Sequence, residues 1–348
     1  MAPQIYLHKK CIERWSKLNI LITNIGRRGY LIDFIKDIKN FKGKVFASDC
    51  DKTASGLYGD CDESFILNKP ADDENKYVAQ LLTLCKNRNI NLIIPVIDPE
   101  IYILSKHKET FKDHGITVLV SDESVLEVCY NKVKMDEFLE LNNFNTVQTF
   151  KDIESFLEAK RMNIVKYPVF IKPIYGSGSL DSLKVNNESE LRTLFKEGMI
   201  IQEYLDGQEY GVDTFIDDKG TPVRLIVKKK ISMRSGETDK AITVLRDEIK
   251  NEVLRMAGIL KPFGPLDCDV IETTKGVYII DLNPRFGGGY PATHMAGVNF
   301  IDLALKLTEN VEIKPEFDNY EVGQLTMKDV GIKTINVSNG KYGGRFCE

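Results

Sequence analysis

The chain has 348 residues, of which 43% are hydrophobic and 28% charged, with a formal net charge of -4. That length accommodates two or three domains at about 100 to 200 residues each, and the mild acidity offers no electrostatic argument for nucleic acid or an anionic membrane as a partner. No apolar run approaches the roughly 18 residues of a membrane span, the opening "MAPQIYLHKKCIERWSK" has no signal-peptide core, and a cytoplasmic location is expected.

Residues 19–121 alternate short apolar runs with longer amphipathic ones. The runs "NILITNI" (19–25), "KVFASD" (44–49), "ESFIL" (63–67), "NLIIPVI" (91–97) and "ITVLVS" (116–121) predict strands. In "YLIDFIKDIKN" (30–40) and "NKYVAQLLTLCKNRN" (75–89), apolar residues recur at three- and four-residue steps, which predicts helices. This alternation predicts an open, largely parallel α/β sheet. The turn "NIGRRGY" could receive an anion on Gly26 and the helix-start amides, with Arg27 and Arg28 either touching an acidic substrate or simply solvated. Asp49 ends the second strand, as in dinucleotide folds. The loop is GxxG rather than GxGxxG, however, so nicotinamide binding is not expected.

The texture changes after residue 121. "DESVLEVCYNKVKMDEFLELNN" (122–143) predicts helices, "YPVFIKP" (167–173) a strand, "YGSGSL" (175–180) a Gly/Ser loop, "SLKV" (182–185) a strand and "ESELRTLFKEG" (188–198) a helix. "MIIQEYLDGQEYGVDTFID" (199–217) reads as two strands broken at Asp206-Gly207. "VRLIVKKKISM" (223–233) and "CDVIETTKGVYIIDLN" (268–283) supply more strands around a helix near 248–258, and the end "NGKYGGRFCE" is expected to fray.

Four separated elements carry polar chemistry. Lys172 is followed by "YGSGS", a strand lysine beside a loop whose amides could close over phosphates, although such loops are also ordinary surface turns. Glu203, Tyr204 and Leu205 could present backbone and an apolar wall to a base, with Glu209 for ribose hydroxyls; solvated turn carboxylates are the alternative. A hairpin would bring Asp269 beside Asp281 and Asn283, and oxygen-only donors suit Mg²⁺. Lys228 and Lys230 share a face opposite Lys229, so the run cannot serve one ligand, and part of it is expected to be a solvated strand edge. Arg285 sits beside the presumed metal donors, before Gly287, Gly288 and Gly289, where backbone could approach an anionic substrate. The seven cysteines are odd in number and contain no CxxC pair, which predicts reduced thiols; the four histidines have no metal-ligand spacing, and His294 is expected to be structural.

In the order Lys132, Lys172, Gly/Ser loop, Glu203 to Leu205, Glu209, Asp269, Asp281, Asn283, Arg285, the chain resembles the ATP-grasp superfamily. "DLNPRFGGG" is similar to the ExNPRxGGS-type segment of the carbamoyl-phosphate synthase large subunit and related carboxylate-amine ligases. The resemblance covers roughly 19–315 and implies a mixed fold, α/β and α+β: an extension (1–18), a pre-ATP-grasp parallel α/β domain (19–120), a small lobe with hinge (121–207), a large lobe (208–315) and a C-terminal segment (316–348). It implies ATP with one or two Mg²⁺ ions, or Mn²⁺. Lys132, Lys172 and the loop Gly176, Ser177, Gly178 and Ser179 would meet phosphates, Glu203, Tyr204 and Leu205 adenine, and Glu209 ribose. Asp269, Asp281 and Asn283 would hold metal. Arg285, Lys172 and Arg234 would be catalytic, and Arg234, Lys240, Gly287, Gly288 and Gly289 would contact substrate.

The implied activity is ADP-forming ligation of a small carboxylate to an amine or ammonia through an acyl phosphate, with small-molecule partners and a homodimer as the default. An ATP-binding regulatory protein without turnover and a nicotinamide oxidoreductase are the alternatives. Two departures stand out: position 281 is Asp where the family has Glu, and Asn131 replaces the usual Asp before the first lysine. With one ATP-grasp half rather than two, carbamoyl phosphate synthesis is not expected from this polypeptide alone.

Overall fold

Short runs rich in Ile and Val, apolar on both faces, are the pattern of strands buried inside a parallel sheet. The computed structural model describes residues 18–176, 182–338 and 341–342, and these divide into two units. The first unit takes in the described residues up to Glu123, together with 298–315 and the described part of 329–348. It runs β1 (Asn19–Thr23), α1 (Tyr30–Lys36), β2 (Val45–Asp49), β3 (Glu63–Ile66), α2 (Glu74–Arg88), β4 (Ile90–Pro95), α3 (Asp98–Lys106), α4 (Lys108–Lys112) and β5 (Thr117–Val118). The strands pair in parallel in the order β3-β2-β1-β4-β5. The expected parallel α/β sheet is present, with strand ends trimmed by a few residues.

The β1–α1 turn spends its polar groups internally. The Gly26 amide donates to Asp49 Oδ2 at 2.8 Å, the Asp51 amide to Asp49 Oδ1 at 2.9 Å, and Arg28 Nη1 to the Val96 carbonyl at 3.2 Å. The Asp49 carboxylate, which a dinucleotide fold would offer to ribose, closes the loop on itself instead.

The second unit comprises 124–297 and 316–328. After α5 (Glu123–Tyr130) and α6 (Lys132–Leu141) come β6 (Thr149–Phe150), α7 (Ile153–Arg161), β7 (Val169–Pro173), β8 (Leu183–Val185), α8 (Glu188–Leu194) and β9 (Met199–Glu203). These strands form an antiparallel sheet in the order β6-β9-β7-β8. Then β10 (Gln208–Ile216), β11 (Pro222–Arg234), β12 (Glu237–Val244), α9 (Asp247–Leu260), β13 (Gly264–Thr273), β14 (Gly276–Asn283), α10 (Tyr290–Met295) and β15 (Leu325–Met327) build a six-stranded antiparallel sheet, β14-β13-β10-β11-β12-β15. Strand β12 occupies the "GETDKA" stretch, which its polar composition had hidden.

Alternation divides the larger sheet by chemistry. One cross-strand row reads Val227, Val212, Cys268, Leu282, and it packs with Ile249, Val253 and Met256 of α9 in one buried cluster. The neighbouring row reads Lys228, Gly211, Asp269, Asp281 and faces the other way. In the smaller sheet Val169, Ile171 and Ile201 pack against Phe156 and Ala159 of α7, which turns Phe170, Lys172 and Gln202 to the opposite face.

The five described cysteines form no disulfide, and no helix among the described residues is long and apolar enough to cross a membrane. Asp49→Ala would leave two N–H groups without their acceptor and is expected to destabilise the protein by about 1–3 kcal/mol. A urea midpoint equal to that of the wild type would show that the turn does not depend on this carboxylate.

Candidate active site

The two sheets of the second unit line a cavity of about 200 Å³. Val147, Phe170, Leu205, Ile271 and Ile280 give it apolar walls, while Lys132, Lys172, Gln202, Glu203, Glu209, Asp269 and Asp281 bring polar atoms. Lys132 starts α6, where Asn131 is the N-cap, its Oδ1 accepting from Val133 N at 3.0 Å and Lys134 N at 3.2 Å. The Lys132 amide donates to the Ile174 carbonyl at 2.9 Å, and Asn131 Nδ2 donates to Tyr175 Oη at 3.0 Å. The first lysine is thereby tied to the chain leaving β7. Asn131 thus caps the helix with its oxygen and reaches Tyr175 with its nitrogen.

Pairing across the larger sheet sets the charged face. Asp281 lies directly opposite Asp269, and Asn283 opposite Asp267. Such close carboxylates repel unless cations intervene. Lys132 pairs with Asp281. Lys230 bridges Glu209 at 2.6 Å and Asp269 at 2.7 Å, and buried Lys228 pairs with Asp213 and donates to the Gly289 carbonyl at 3.2 Å. Burial opposes the charge on Lys230, but Asp269 and Glu209 outweigh it and hold the ammonium above its usual range. Burial pushes Asp269 up, Lys230 offsets part of that rise and Asp281 adds to it; burial likewise works against Asp281, but Lys132 and Lys172 bring it below the usual carboxylate range. Lys172 has the opposite fate: burial, then the neighbouring Lys132, lowers it to about 8 despite Asp281, Asp136 and Asp269.

The expected residues fall into three groups. Lys132, Lys172, Gly176, Glu203, Leu205, Glu209, Asp269 and Asp281 share the cavity. Asn283 and Arg285 adjoin it: Asn283 Nδ2 donates to Asp281 Oδ2 at 3.2 Å, and Arg285 Nη2 donates to Asn283 Oδ1 at 3.3 Å. Tyr204 packs on Phe170, ring centroids 5.7 Å apart, with Lys184 over its face. Arg234 and Lys240 are exposed on the outer β11–β12 hairpin, away from the cavity lining. Ser177, Gly178 and Ser179 lie outside the described residues. His294 contacts Tyr290 as a structural residue would, Tyr290 Oη lying 3.3 Å from its Nδ1.

The cationic run is divided: Lys228 and Lys230 are 1% and 8% exposed, whereas Arg234 and Lys240 are exposed. A Cβ on Gly211 would stand 3.4 Å from Lys230 Cε and 3.8 Å from Lys228 Cε. The glycines after Arg285 clear space for protein side chains: a Cβ on Gly287 would fall 2.2 Å from Asp267 Cγ, on Gly288 2.8 Å from Glu237 Cβ and on Gly289 3.1 Å from Lys228 Nζ. Asp136, Asp213, Asp267, Lys228 and Lys230 are the site-face residues missed from sequence; the alternation of 228 and 230 was a usable signal, and the shared parity of 267 with 269 another.

The donor set fits a hard divalent cation. Among the described residues no three His, Cys, Asp or Glu converge as a metal cluster, but two facing carboxylates and an amide are what Mg²⁺ uses when phosphate and water complete its shell.

Residues 20–119 match the PylC-like N-terminal domain and residues 129–289 the ATP-grasp domain. The chain thus carries an ATP-grasp domain preceded by a PylC-like N-terminal domain. It is 25% identical over 279 residues to the tyramine–L-glutamate ligase of Methanocaldococcus jannaschii, covering 76% of this chain and 80% of that one. Against D-alanine–D-alanine ligase B of Clostridium perfringens the figures are 24% over 282 residues, 70% and 91%. The carbamoyl phosphate synthase large chain of Clostridium beijerinckii is 25% identical over 228 residues, 58% of this chain, and the match spans only 21% of that protein's length. In fold, the chain is similar to biotin carboxylase from Campylobacter jejuni in its complex with β-γ-ATP (TM-score 0.68, 18% identity, 88% and 74% covered) and to an L-amino acid ligase from Bacillus licheniformis (0.63, 18%, 86% and 78%).

Lys228→Met would strand the Asp213 carboxylate in the interior and is expected to cost about 3–5 kcal/mol, whereas Lys228→Met combined with Asp213→Leu should recover most of that loss. Urea unfolding of both variants checks it; equal destabilisation in the two would mean the pair is not the source.

Proposed function

We propose that this protein is an ATP-dependent, ADP-forming ligase that joins a small-molecule carboxylate to an amine or ammonia through an acyl phosphate. The observation that carries the reading is one cavity lined both by apolar Phe170, Leu205 and Ile280 and by charged Lys132, Lys172, Asp269 and Asp281. A base fits the first and phosphates the second. The relatives named as ligases of tyramine to L-glutamate and of D-alanine to D-alanine support the reaction class. Boundaries at 121–207 and 208–315 for the two ATP-grasp lobes form part of the same proposal.

In this reading Glu209 takes the ribose, and Lys132 and Lys172 steady phosphate oxygens. Asp269, Asp281 and Asn283 would hold Mg²⁺ (Mn²⁺ offers the same hard-oxygen chemistry), which when bound neutralises charge on the phosphates. A carboxylate oxygen attacks the γ-phosphorus, the bond to the β-phosphate oxygen breaks and ADP leaves. The amine then attacks the acyl carbon, inorganic phosphate departs, and the nitrogen loses a proton to water. Arg285 and Lys172 are assigned to the charge on the transferring phosphoryl group, because positioning and charge neutralisation are what this chemistry asks of a protein. Arg234 and Lys240 are the proposed charges for an acidic acceptor, and Gly287, Gly288 and Gly289 shape the wall beside Arg285.

Incubating the protein with Mg-ATP and a panel of acids and amines should release ADP and phosphate only when a matching pair is present. Nucleotide binding with no stimulating pair would favour a regulatory role. Arg285→Ala is expected to lower kcat by about 10²–10³-fold with little change in ATP affinity. Lys172, at about 8, loses its charge as pH rises through that value. ATP should therefore bind more weakly as pH increases from about 7 to 9, and Lys172→Arg, which stays charged, should flatten the dependence; a flat wild-type titration would remove Lys172 from the phosphate site.

A further inference from the structure

Glu100 sits on α3 in the first unit and is 0% exposed. The Tyr77 hydroxyl of α2 donates to its Oε1, while Oε2 has no hydrogen-bond partner among the described residues. Thr23 ends β1 and Asn24 follows it; both side chains face this carboxyl, and Asn24 also reaches Tyr77. The groups acting most strongly on Glu100 include no cation, and the one charge among them is the Asp49 carboxylate at the end of β2. Arg28, the cation of the neighbouring turn, gives Nη1 to the Val96 carbonyl.

A buried carboxylate that keeps its charge needs a cation or a full set of donors. Glu100 has neither, so the neutral acid is the form that fits. Burial pushes its acid group up, Thr23, Tyr77 and Asn24 offset part of that rise, and Asp49 adds to it. Burial, then Glu100, also pushes the Tyr77 phenol up, and burial pushes Cys85, which adjoins Tyr77 on α2, up to about 12, so both stay protonated. Asn24 connects this cluster to the turn. It is 6% exposed and holds a left-handed φ of 48°, which residues with a side chain rarely adopt without local support.

We propose that Glu100 is a proton-operated latch: held as the uncharged acid in the folded protein, it ties the β1–α1 turn through Asn24 to α2 and α3, and it releases that turn when it ionises. The latch lies wholly in the first unit and does not depend on the nucleotide site. Because the folded protein holds this proton more tightly than the unfolded chain, where a glutamate ionises near about 4.3, the latch is secure at low pH. It weakens as pH rises above that value, by up to about tenfold in the opening equilibrium per pH unit, until the folded acid itself ionises.

Two measurements on the full chain test it. Infrared spectra of the wild type at pH 7 should contain the carbonyl stretch of an un-ionised carboxylic acid that Glu100→Gln lacks. Amide hydrogen exchange over residues 19–30, corrected for its intrinsic pH dependence, should reveal opening that grows with pH by up to about tenfold per unit in the wild type and stays level in Glu100→Gln. Should Glu100→Gln not fold, Tyr77→Phe carries the same test: it removes a donor that favours the ionised form, so the rise in opening should extend to higher pH than in the wild type. A wild type without the acid band, an exchange profile parallel to that of Glu100→Gln, or a Tyr77→Phe profile that does not move would overturn the latch.

Discussion

The pairing of buried lysines with facing carboxylates is the constraint on which the charged face depends. Gly211 lies in the row between Lys228 and Asp269, at the centre of the six-stranded sheet. Lysine stems are apolar and need a surface to lie on, while their ammonium groups need oxygen. Over Gly211 both demands are met: the stems cross the gap and the ammonium groups reach Asp213 on one side and Asp269 and Glu209 on the other. Without those two lysines the carboxylates of β10 and β13 would face one another without their cations.

Burying this much charge is not a route to stability, since desolvation offsets most of what the ion pairs return. The arrangement is better understood as a site held ready. Each carboxylate assigned to a metal already has an ammonium beside it, Lys132 at Asp281 and Lys230 at Asp269. In the proposed function Lys132 would turn from Asp281 to phosphate, and the carboxylates would hold a divalent cation, which when bound neutralises charge on the phosphates. The shorter acid at 281 is compatible with this, because cross-strand pairing, not side-chain length, sets it against Asp269.

The sequence discloses the site in proportion to how local each relation is. Five strands of the first sheet and the β13–β14 hairpin follow from apolar runs and turn residues within a few positions, so Asp269 and Asp281 could be paired in advance. The parity of Lys228 and Lys230 was also local. Their burial was not, because it depends on carboxylates that only register brings near. Asp136 is further from reach: it sits in a helix with ordinary polar neighbours, and its bonds to Thr149 and Gln202 cross between elements. Arg234 and Lys240, named through the resemblance, lie exposed on the β11–β12 hairpin outside the cavity lining, a placement that local sequence pattern does not disclose.

The run Gly287, Gly288, Gly289 shows why residue type alone misleads. Three glycines in sequence suggest a backbone that needs left-handed torsions, yet none of the three adopts a positive φ. Their common property is the space they leave, which is taken by Asp267, Glu237 and Lys228 in turn. A flexible loop tolerates a methyl group; a packed one does not. The segment after Arg285 is therefore part of the wall that seats the charged residues: a side chain at 287 would meet the Asp267 carboxylate, which Arg285 approaches at 4.0 Å. The glycines and the arginine of this motif thus answer to one requirement, that a carboxylate and a guanidinium come close to backbone at the end of β14.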